Sequence, residues 1–408
     1  MTAVRVSNAR VRRALLWING LSPGPEPDVL PLPGPRVGSD WTRRMVARLG
    51  FVQVDPISAV ERAQHHILFT RNPHYRQPDL DRALEIDRVL FENWTHDAAI
   101  LPVEYFPYWR HYMRRFRRFE IHAGYRRYFA PVTDAGAKRV LARLRREGPL
   151  LPRDLGDERA NHVDPSFPAP TLAKITLEWL WRTGRVAVCR REGRQKVYDL
   201  TERVIPARYH EERVGRDAYV DWACRESLTR LGAGSPAQIA RLFDAVSKEQ
   251  AAAWCRRRLG REVVELRVDG ADGSAGGPSY AVERSVAMWS SLPAPDSELR
   301  LLNPFDPLIH DRKRTLRLFG FDYSVEIWVP PNKRRYGYYV MPILEGERFT
   351  GRVDAKTDRE AGLLRVLGLW WEPGVHPTRK RMAALEGELT ALARFAGAGR
   401  VEFARGIR

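Results

Sequence analysis

A carboxamide and a carboxylate lie two residues apart in the segment QVD, which Gln53, Val54 and Asp55 form. In an extended segment, alternate side chains point to opposite faces, so Gln53 and Asp55 would share one face and Val54 would point the other way. A carboxylate can stabilise a cationic sugar, and an amide beside it can hold the water that attacks that sugar. The pair is therefore a candidate for hydrolysing a glycosidic bond.

Asp55 also has a structural interpretation. Asp55-Pro56 ahead of ISAVERAQHH is typical of a helix N-cap followed by Pro at the first helical position. The two roles are compatible, because amide donors and the helix dipole at a helix N-terminus would lower the pKa of Asp55 and keep it ionised.

The composition indicates an ordinary soluble protein with an unusual charge. Its 408 residues are enough for two to four domains, and 44% of them are hydrophobic. The net charge is +18, carried mostly by Arg along the whole length, and it favours a polyanionic partner such as nucleic acid or an anionic membrane surface. No apolar run is long enough to span a bilayer and no signal segment opens the chain, so we expect a cytoplasmic protein.

Several kinds of site are absent from the sequence. Cys189, Cys224 and Cys255 are far apart and form no CxxC pair, so neither a zinc site nor a disulfide framework is indicated. Walker, HExxH and GxSxG motifs are missing as well. We therefore expect chemistry that needs neither a metal nor a nucleotide cofactor.

The first part of the chain predicts helices around a short strand. SNARVRRALLWING is an amphipathic helix capped by Ser7, DWTRRMVARLG is a helix ended by Gly50, FVQV is a strand, and PISAVERAQHHILFTRN is a third helix. A Pro-rich loop spans residues 22–36. HYMRRFRRFEIH (111–122) would place Tyr112, Phe116 and Phe119 on one stripe of a helix.

From about residue 131 the order of elements is that of a winged helix. Three helices precede RVAVCRREGRQKVYDL, which predicts a hairpin around Glu192-Gly193, and a weaker version of the same order follows at 211–275. Close-spaced strands from 280 then suggest a small β-barrel or half-barrel before a last helix. The predicted fold is α+β, with units at 1–130, 131–210, 211–275, 280–375 and 376–408.

Basic and aromatic residues mark candidate DNA contacts. The hairpin tip carries Arg190, Arg191, Arg194 and Lys196, and wings commonly touch phosphate. Two further stretches, NPFDPLIHDRKRTLRLFGF and PPNKRRYGYYVMPI, could track a nucleic-acid backbone and stack a base on Tyr336. Their cations are Arg312, Lys313, Arg314, Lys333, Arg334 and Arg335. For any single Arg a solvated charged face is an alternative.

His96 is a further candidate in ENWTHDAAILP, where Asp97 follows it. A lone His is more often a structural residue than a catalyst, and the same holds for His65 and His66.

Six segments, taken in order, resemble the AlkZ/YcaQ (AlkX) family of bacterial DNA glycosylases over roughly residues 45–375. They are QVDPISAVERAQHHILFTR, ENWTHDAAILP, LWRTGRVAVCRREGRQKVYDL, NPFDPLIHDRKRTLRLFGFDY, PNKRRYGYYVMPIL and GRVDAKTDR. In that family the catalytic element is Gln-hydrophobic-Gln or Gln-hydrophobic-Asp, and Gln53-Val54-Asp55 matches the second form.

The resemblance implies tandem winged helices and a β-barrel around a C-shaped DNA cleft. It also implies a monofunctional, monomeric repair enzyme, located with the bacterial nucleoid, that excises N7-alkylated purines and unhooks interstrand crosslinks. Asp55 would stabilise the oxocarbenium and activate water, while Gln53 would orient that water.

Two other functions remain open from the residues alone. A non-catalytic winged-helix transcriptional regulator would explain the hairpin and the charge. A single-stranded DNA- or RNA-binding protein would explain the barrel and Tyr336.

Overall fold

The computed structural model describes residues 4–24, 37–156, 158–159 and 170–407. Within them the fold is mixed α+β, as predicted, with four β-sheets among helices. Most of the Pro-rich loop, residues 25–36, lies outside the described residues. No helix of the described part is long and apolar enough to cross a membrane.

The N-terminal elements follow the predicted order, and their caps explain two of the boundaries. Ser7 accepts from the Arg10 amide at the first helix, and Gly50, with φ +86°, ends the second. The elements are β1 (Val4–Val6), α1 (Asn8–Ile18), α2 (Gly38–Leu49), β2 (Val52–Gln53), α3 (Ala63–Arg71), α4 (Gln77–Glu85), β3 (Leu90–Trp94), β4 (Ala98–Pro102), α5 (Phe106–Arg117) and α6 (Ala123–Phe129).

Two local predictions in this region were wrong. The helix expected directly after Asp55 begins only at Ala63, and residues 54–62 form an irregular segment. Because Asp55 does not cap α3, the dipole of that helix does not act on it. The helix that carries Tyr112 and Phe116 ends at Arg117, and Phe119 turns out of it with φ +54° to stack on Trp179.

The next stretch has two of the three predicted helices and then the predicted hairpin. Its elements are α7 (Asp134–Glu147), a 3₁₀ turn (Pro152–Leu155), α8 (Leu172–Arg182), β5 (Val186–Glu192), β6 (Gln195–Leu200), α9 (Thr201–Val204) and α10 (Ala207–Glu211). The second of the three helices expected before the hairpin is only that 3₁₀ turn in the described residues. β5 and β6 pair antiparallel around Gly193 and Arg194.

The third stretch has three helices and then an antiparallel pair of strands, which is the order predicted for it. It consists of α11 (Arg216–Leu231), β7 (Ala233–Gly234), α12 (Pro236–Phe243), α13 (Lys248–Arg258), β8 (Val263–Val268), β9 (Pro278–Val282) and α14 (Glu283–Met288). β1 pairs parallel to β8 in this sheet, and α1 packs in one core with residues of this stretch and of the C-terminal part. The first residues of the chain thus join elements that lie far from them in sequence.

The C-terminal elements are five strands in one sheet and two helices, of which the longer packs on the sheet. They are β10 (Leu299–Leu301), α15 (Arg312–Phe319), β11 (Val340–Glu345), β12 (Arg348–Asp358), β13 (Leu363–Trp371), α16 (Arg379–Phe395) and β14 (Arg400–Phe403). The strand order is β10-β11-β12-β13-β14, so the sheet is open at β10 and β14. Residues 322–330, DYSVEIWVP, lie in the stretch where close-spaced strands were expected, but they form irregular loop structure.

One core joins the QVD segment to this sheet. Val54, Ile100, Ile327, Tyr339 and Met341 all belong to the same cluster of buried residues. The three-stranded sheet β2-β4-β3 and the C-terminal sheet therefore share one core, to which Val54 of the QVD segment belongs.

Candidate functional site

Backbone pairing brings two separate segments together at the QVD site. Gln53 on β2 is the antiparallel partner of Ala99 on β4, and the Val54 amide donates to the Ala98 carbonyl at 2.8 Å. The loop just before β4 consequently places His96 and Asp97 beside residues 53–55. Val54 points into the core, as the alternation of side chains along an extended segment requires.

The Gln53 amide is held at both of its ends. Its Nε2 donates to Asp97 Oδ2 at 3.3 Å, and its Oε1 accepts from His96 Nε2 at 3.3 Å. This orientation of the Gln53 nitrogen and oxygen fits their partners, because a carboxylate can only accept a hydrogen bond and an amide nitrogen can only donate one. The Gln53 amide also acts as a donor toward Asp55, whose pKa it lowers, so its oxygen keeps one lone pair for a further partner.

Asp55 is a buried carboxylate with an elevated pKa. Only 8% of the residue is exposed, and Oδ1 accepts from the Ile57 amide at 2.8 Å. Burial raises the pKa of Asp55 to about 6; the Asp97 charge adds to that rise, while the Ile57 amide and the Gln53 side chain oppose it. The lowered pKa expected of a helix cap was wrong, because α3 begins at Ala63.

Burial also shifts the pKa of the two side chains that hydrogen-bond to Gln53, Asp97 and His96. The pKa of Asp97 is raised, although the Ala98 amide at 2.7 Å and the charges of Arg182 and Lys196 oppose the shift. The His96 ring lies against His310, with centroids 3.9 Å apart, and burial lowers the pKa of the two imidazoles to about 3 and about 4. His96 is therefore a neutral part of the site, where it orients Gln53, and not a cation available for a phosphate.

A buried polar chain reaches the site from the C-terminal sheet. Asn303 Nδ2 donates to Tyr339 Oη at 2.9 Å and to His66 Nδ1 at 3.2 Å, and His66 Nε2 donates to the Leu301 carbonyl at 3.0 Å. Because Tyr339 accepts from Asn303, its own O–H is left to donate elsewhere. Burial raises the pKa of Tyr339, and the charge of Asp55 adds to the shift.

Sequence reasoning missed His310, Asn303 and Tyr339 as parts of this site. All three lie in the basic and aromatic stretches that were singled out for DNA contact. The available signal was a set of polar side chains among apolar neighbours, but nothing in the sequence placed them beside Gln53 and Asp55. His65 and His66 are buried.

The cations at the tip of the β5–β6 hairpin are of two kinds, those paired with a buried carboxylate and those exposed to solvent. Glu92 on β3, 3% exposed at its side chain, accepts from Arg191 at 2.7 and 2.9 Å and lies 3.3 Å from Lys196 Nζ. Arg191 and Lys196 thus neutralise a buried carboxylate instead of facing solvent. Arg194 is exposed and donates to Ser58 Oγ at 3.0 Å, so the tip lies against the loop that follows Asp55.

The cations on α15 divide in the same way. Arg314 is buried and donates to the carbonyls of Leu231 and Ala233, while Arg312 donates to those of Pro304 and Ile309. These guanidinium groups join chain segments, which corrects their expected place on a DNA surface. Lys313, between them, is exposed.

The last group of candidate DNA contacts, residues 333–336, lies in the loop that precedes β11. Lys333 and Arg335 are exposed and Arg334 is half-buried, with its Nε donating to the Val329 carbonyl at 2.8 Å. Tyr336 is half-buried between the guanidinium groups of Arg335 and Arg352, at 4.8 and 4.2 Å from its ring centre. Two guanidinium groups thus already pack on the ring that was expected to stack on a base.

No group of three or more His, Cys, Asp or Glu side chains in the described part of the chain is arranged to hold a metal ion. The site around Gln53 consists of two carboxyls, one amide and neutral imidazoles. Such a set can hold a water molecule beside a carboxylate and present negative charge to a cation.

Comparison with known proteins gives a family and a fold. The family model for AlkZ-like DNA glycosylases matches residues 46–395. Among solved structures, the chain is similar to the DNA glycosylase AlkZ of Streptomyces sahachiroi, with a TM-score of 0.65 and 16% sequence identity. The superposition covers 98% of this chain and 100% of that one.

Proposed function

The chain belongs to the AlkZ-like family of DNA glycosylases, and we propose that it excises N7-alkylated purines from duplex DNA with Asp55 as its catalytic carboxylate. The observation that carries the proposal is the buried Asp55 carboxylate beside a Gln53 amide that two further side chains hold in place. Burying a carboxylate of raised pKa costs stability, and such groups concentrate at functional sites.

The chemistry needs few groups. An N7-alkylguanine already carries a positive charge, so the base leaves as a neutral molecule without a general acid. What remains is to stabilise an oxocarbenium-like sugar and to deliver water to it. Asp55 supplies the negative charge and accepts the proton of the water. Because water is the nucleophile, the enzyme is monofunctional.

Gln53 is suited to hold that water. Its oxygen has one lone pair left over from His96 that can accept a hydrogen bond from a water, and its amide faces the Asp55 carboxylate that would take the proton of that water. Asp55, with a pKa of about 6, is mostly ionised at neutral pH. A cationic base and an oxocarbenium nearby would lower that pKa further and keep the carboxylate charged during the reaction.

We further propose that the two sets of helices closed by hairpins are tandem winged helices, and that with the C-terminal sheet they border a C-shaped DNA cleft. A crosslinked base is tethered to the opposite strand and cannot be swung into a closed pocket, so an open cleft would allow crosslinks to be unhooked. The exposed cations that would contact phosphates are Arg194, Lys313, Lys333 and Arg335, together with half-buried Arg334. We expect a monomer that acts on the nucleoid in the bacterial cytoplasm.

The decisive experiment is release of free N7-methylguanine from methylated duplex DNA by the purified protein. We expect time-dependent release under single-turnover conditions, with the sugar-phosphate backbone left intact. Sequence-specific binding of unmodified DNA without release would favour a transcriptional regulator. Tighter binding of single strands than of duplex, without release, would favour a single-strand binding protein.

A further inference from the structure

Trp328 is the most exposed large apolar side chain of the described residues, with 79% of it in contact with solvent. It lies at the tip of a tight turn, because the Val329 amide donates to the Glu326 carbonyl at 3.0 Å. Its neighbour Ile327 is buried in the same core as Val54 and Tyr339. One turn therefore buries Ile327 in that core and projects an indole into solvent.

The loop that carries Trp328 is fixed by two carboxylates. Glu326 accepts from the backbone amides of Arg335, Tyr336 and Gly337 at 2.8, 2.8 and 3.2 Å. Asp354 accepts from the backbone amides of Tyr338 and Tyr339 at 3.2 and 3.0 Å. Residues 326–339 are thereby closed into a rigid loop that loses little conformational freedom when it binds a partner.

Gly337 shows how tightly this loop is fitted. Its φ is +142°, and a Cβ at this position would lie 2.0 Å from Asp354 Oδ2. A side chain here would displace the carboxylate that holds the end of the loop. This loop conformation therefore depends on glycine at position 337.

The charge of the loop matches a polyanion. Residues 327–338 contain three cations, Lys333, Arg334 and Arg335, and no carboxylate. Pro330 and Pro331 stiffen the chain between the indole and these cations. Guanidinium groups lie against the rings of Tyr336 and Tyr338, and Trp328 is the most exposed aromatic side chain of this loop, at 79% against 38% for Tyr338.

We propose that Trp328 is a wedge that stacks on a base at a distorted step of duplex DNA, while Lys333 and Arg335 hold the adjacent phosphates. The inference rests on the proposed function, because it takes damaged duplex as the partner. A base that stays tethered in the duplex is reached by opening the base step around it. An inserted aromatic residue that replaces the lost stacking offsets the cost of that opening.

The test uses a fully paired duplex and the same duplex with one unpaired base. Trp328→Ala should weaken binding to the second duplex roughly 5- to 150-fold, the range of one lost base stack, and should affect the paired duplex much less. Trp328→Phe should retain most of the affinity. Ile86→Ala, which removes a side chain of similar exposure (71%), is the matched control and should bind both duplexes like wild type.

Fluorescence supplies a second readout that does not depend on excision. The difference in emission between wild type and Trp328→Phe isolates Trp328, and bound DNA should quench it. Equal binding of both duplexes by wild type and Trp328→Ala, or unchanged Trp328 emission on saturated DNA, would overturn the wedge and leave the glycosylase proposal intact. Quenching without excision would support the wedge and count against the glycosylase. A protein that binds no duplex at all would overturn both.

Discussion

The Gln53 side-chain amide donates to the Asp97 carboxylate at 3.3 Å, so the residue that would position water is itself positioned by a second acid. The same Asp97 raises the pKa of Asp55 by charge repulsion. One residue therefore acts on both parts of the proposed machinery. This coupling can be measured, because its two effects appear in different observables.

We expect Asp55→Asn to slow base excision by roughly 10²–10⁴-fold, since a positioned carboxylate contributes about that much to such reactions. The amide keeps the oxygen that accepts from Ile57, so the loop should be unchanged and DNA affinity nearly intact. Single-turnover excision and binding isotherms check this. Equal excision rates in the two proteins would remove Asp55 from the mechanism.

The same substitution should stabilise the fold at neutral pH. The folded-state pKa of Asp55, about 6, is above its ordinary value of 3.8, so the folded protein holds the extra proton and gains stability as the pH falls from about 6 toward 4. Above that range the charged carboxylate is a cost that Asn lacks. We expect a gain of about 1–2 kcal/mol in urea unfolding at pH 7.5, after allowance for partial solvation. A marked loss would indicate a structural role for Asp55.

The pH dependence of excision should have an acid limb near pH 6, because Asp55 must be ionised to stabilise the oxocarbenium. Asp97→Asn removes the repelling charge, so it should lower the pKa of Asp55 and move this limb to lower pH. It should also slow the plateau rate, because Gln53 loses its carboxylate acceptor. A limb that moves to higher pH, or does not move, would contradict the coupling. Asp97→Glu, which keeps the charge, is the control.

Excision should proceed in the presence of EDTA, because a cationic base leaves without help from a Lewis acid. The measurement is the single-turnover rate before and after chelation, with divalent ions then added back. A rate lost on chelation and restored by one particular ion would require a metal in the mechanism.

Arg191 and Arg194 should give opposite results although both lie at the hairpin tip. Arg191→Ala leaves the buried Glu92 carboxylate without its bidentate partner and should destabilise the protein by about 2–4 kcal/mol. Arg194→Ala should leave stability within about 0.5 kcal/mol and weaken duplex binding. Urea unfolding and binding isotherms on both variants separate the two roles. Loss of stability in Arg194→Ala would place it with the internal cations.

Reversing the charges of Lys333 and Arg334 should weaken duplex binding most at low salt. If each contacts one phosphate, the slope of log affinity against log salt should fall by about two units. Excision should slow at subsaturating enzyme and be largely spared at saturation. Arg379→Glu with Lys380→Glu is the matched control, because it makes the same change in net charge at two exposed residues of α16. Superimposable salt curves for both double variants would place the loop away from DNA.

Local patterns in the sequence determined much of the chain without help from tertiary structure. The caps Ser7 and Gly50 and the hairpin around Gly193 all follow from interactions within a few residues. Such short-range preferences are present in the chain before it folds. The spacing of Gln53 and Asp55 belongs to the same class, since alternation along an extended segment is a property of the backbone.

The environment of those residues was decided only by the fold. Asp55 follows a helix-cap pattern, yet α3 starts at Ala63 and the carboxylate is buried beside Asp97, which reversed the expected direction of its pKa shift. Arg191 and Arg194 are three residues apart and equally basic in sequence, but only Arg191 meets the buried Glu92 of β3. Burial and distant partners set the pKa of a group and the availability of a charge, and both depend on contacts between segments that a local pattern does not contain.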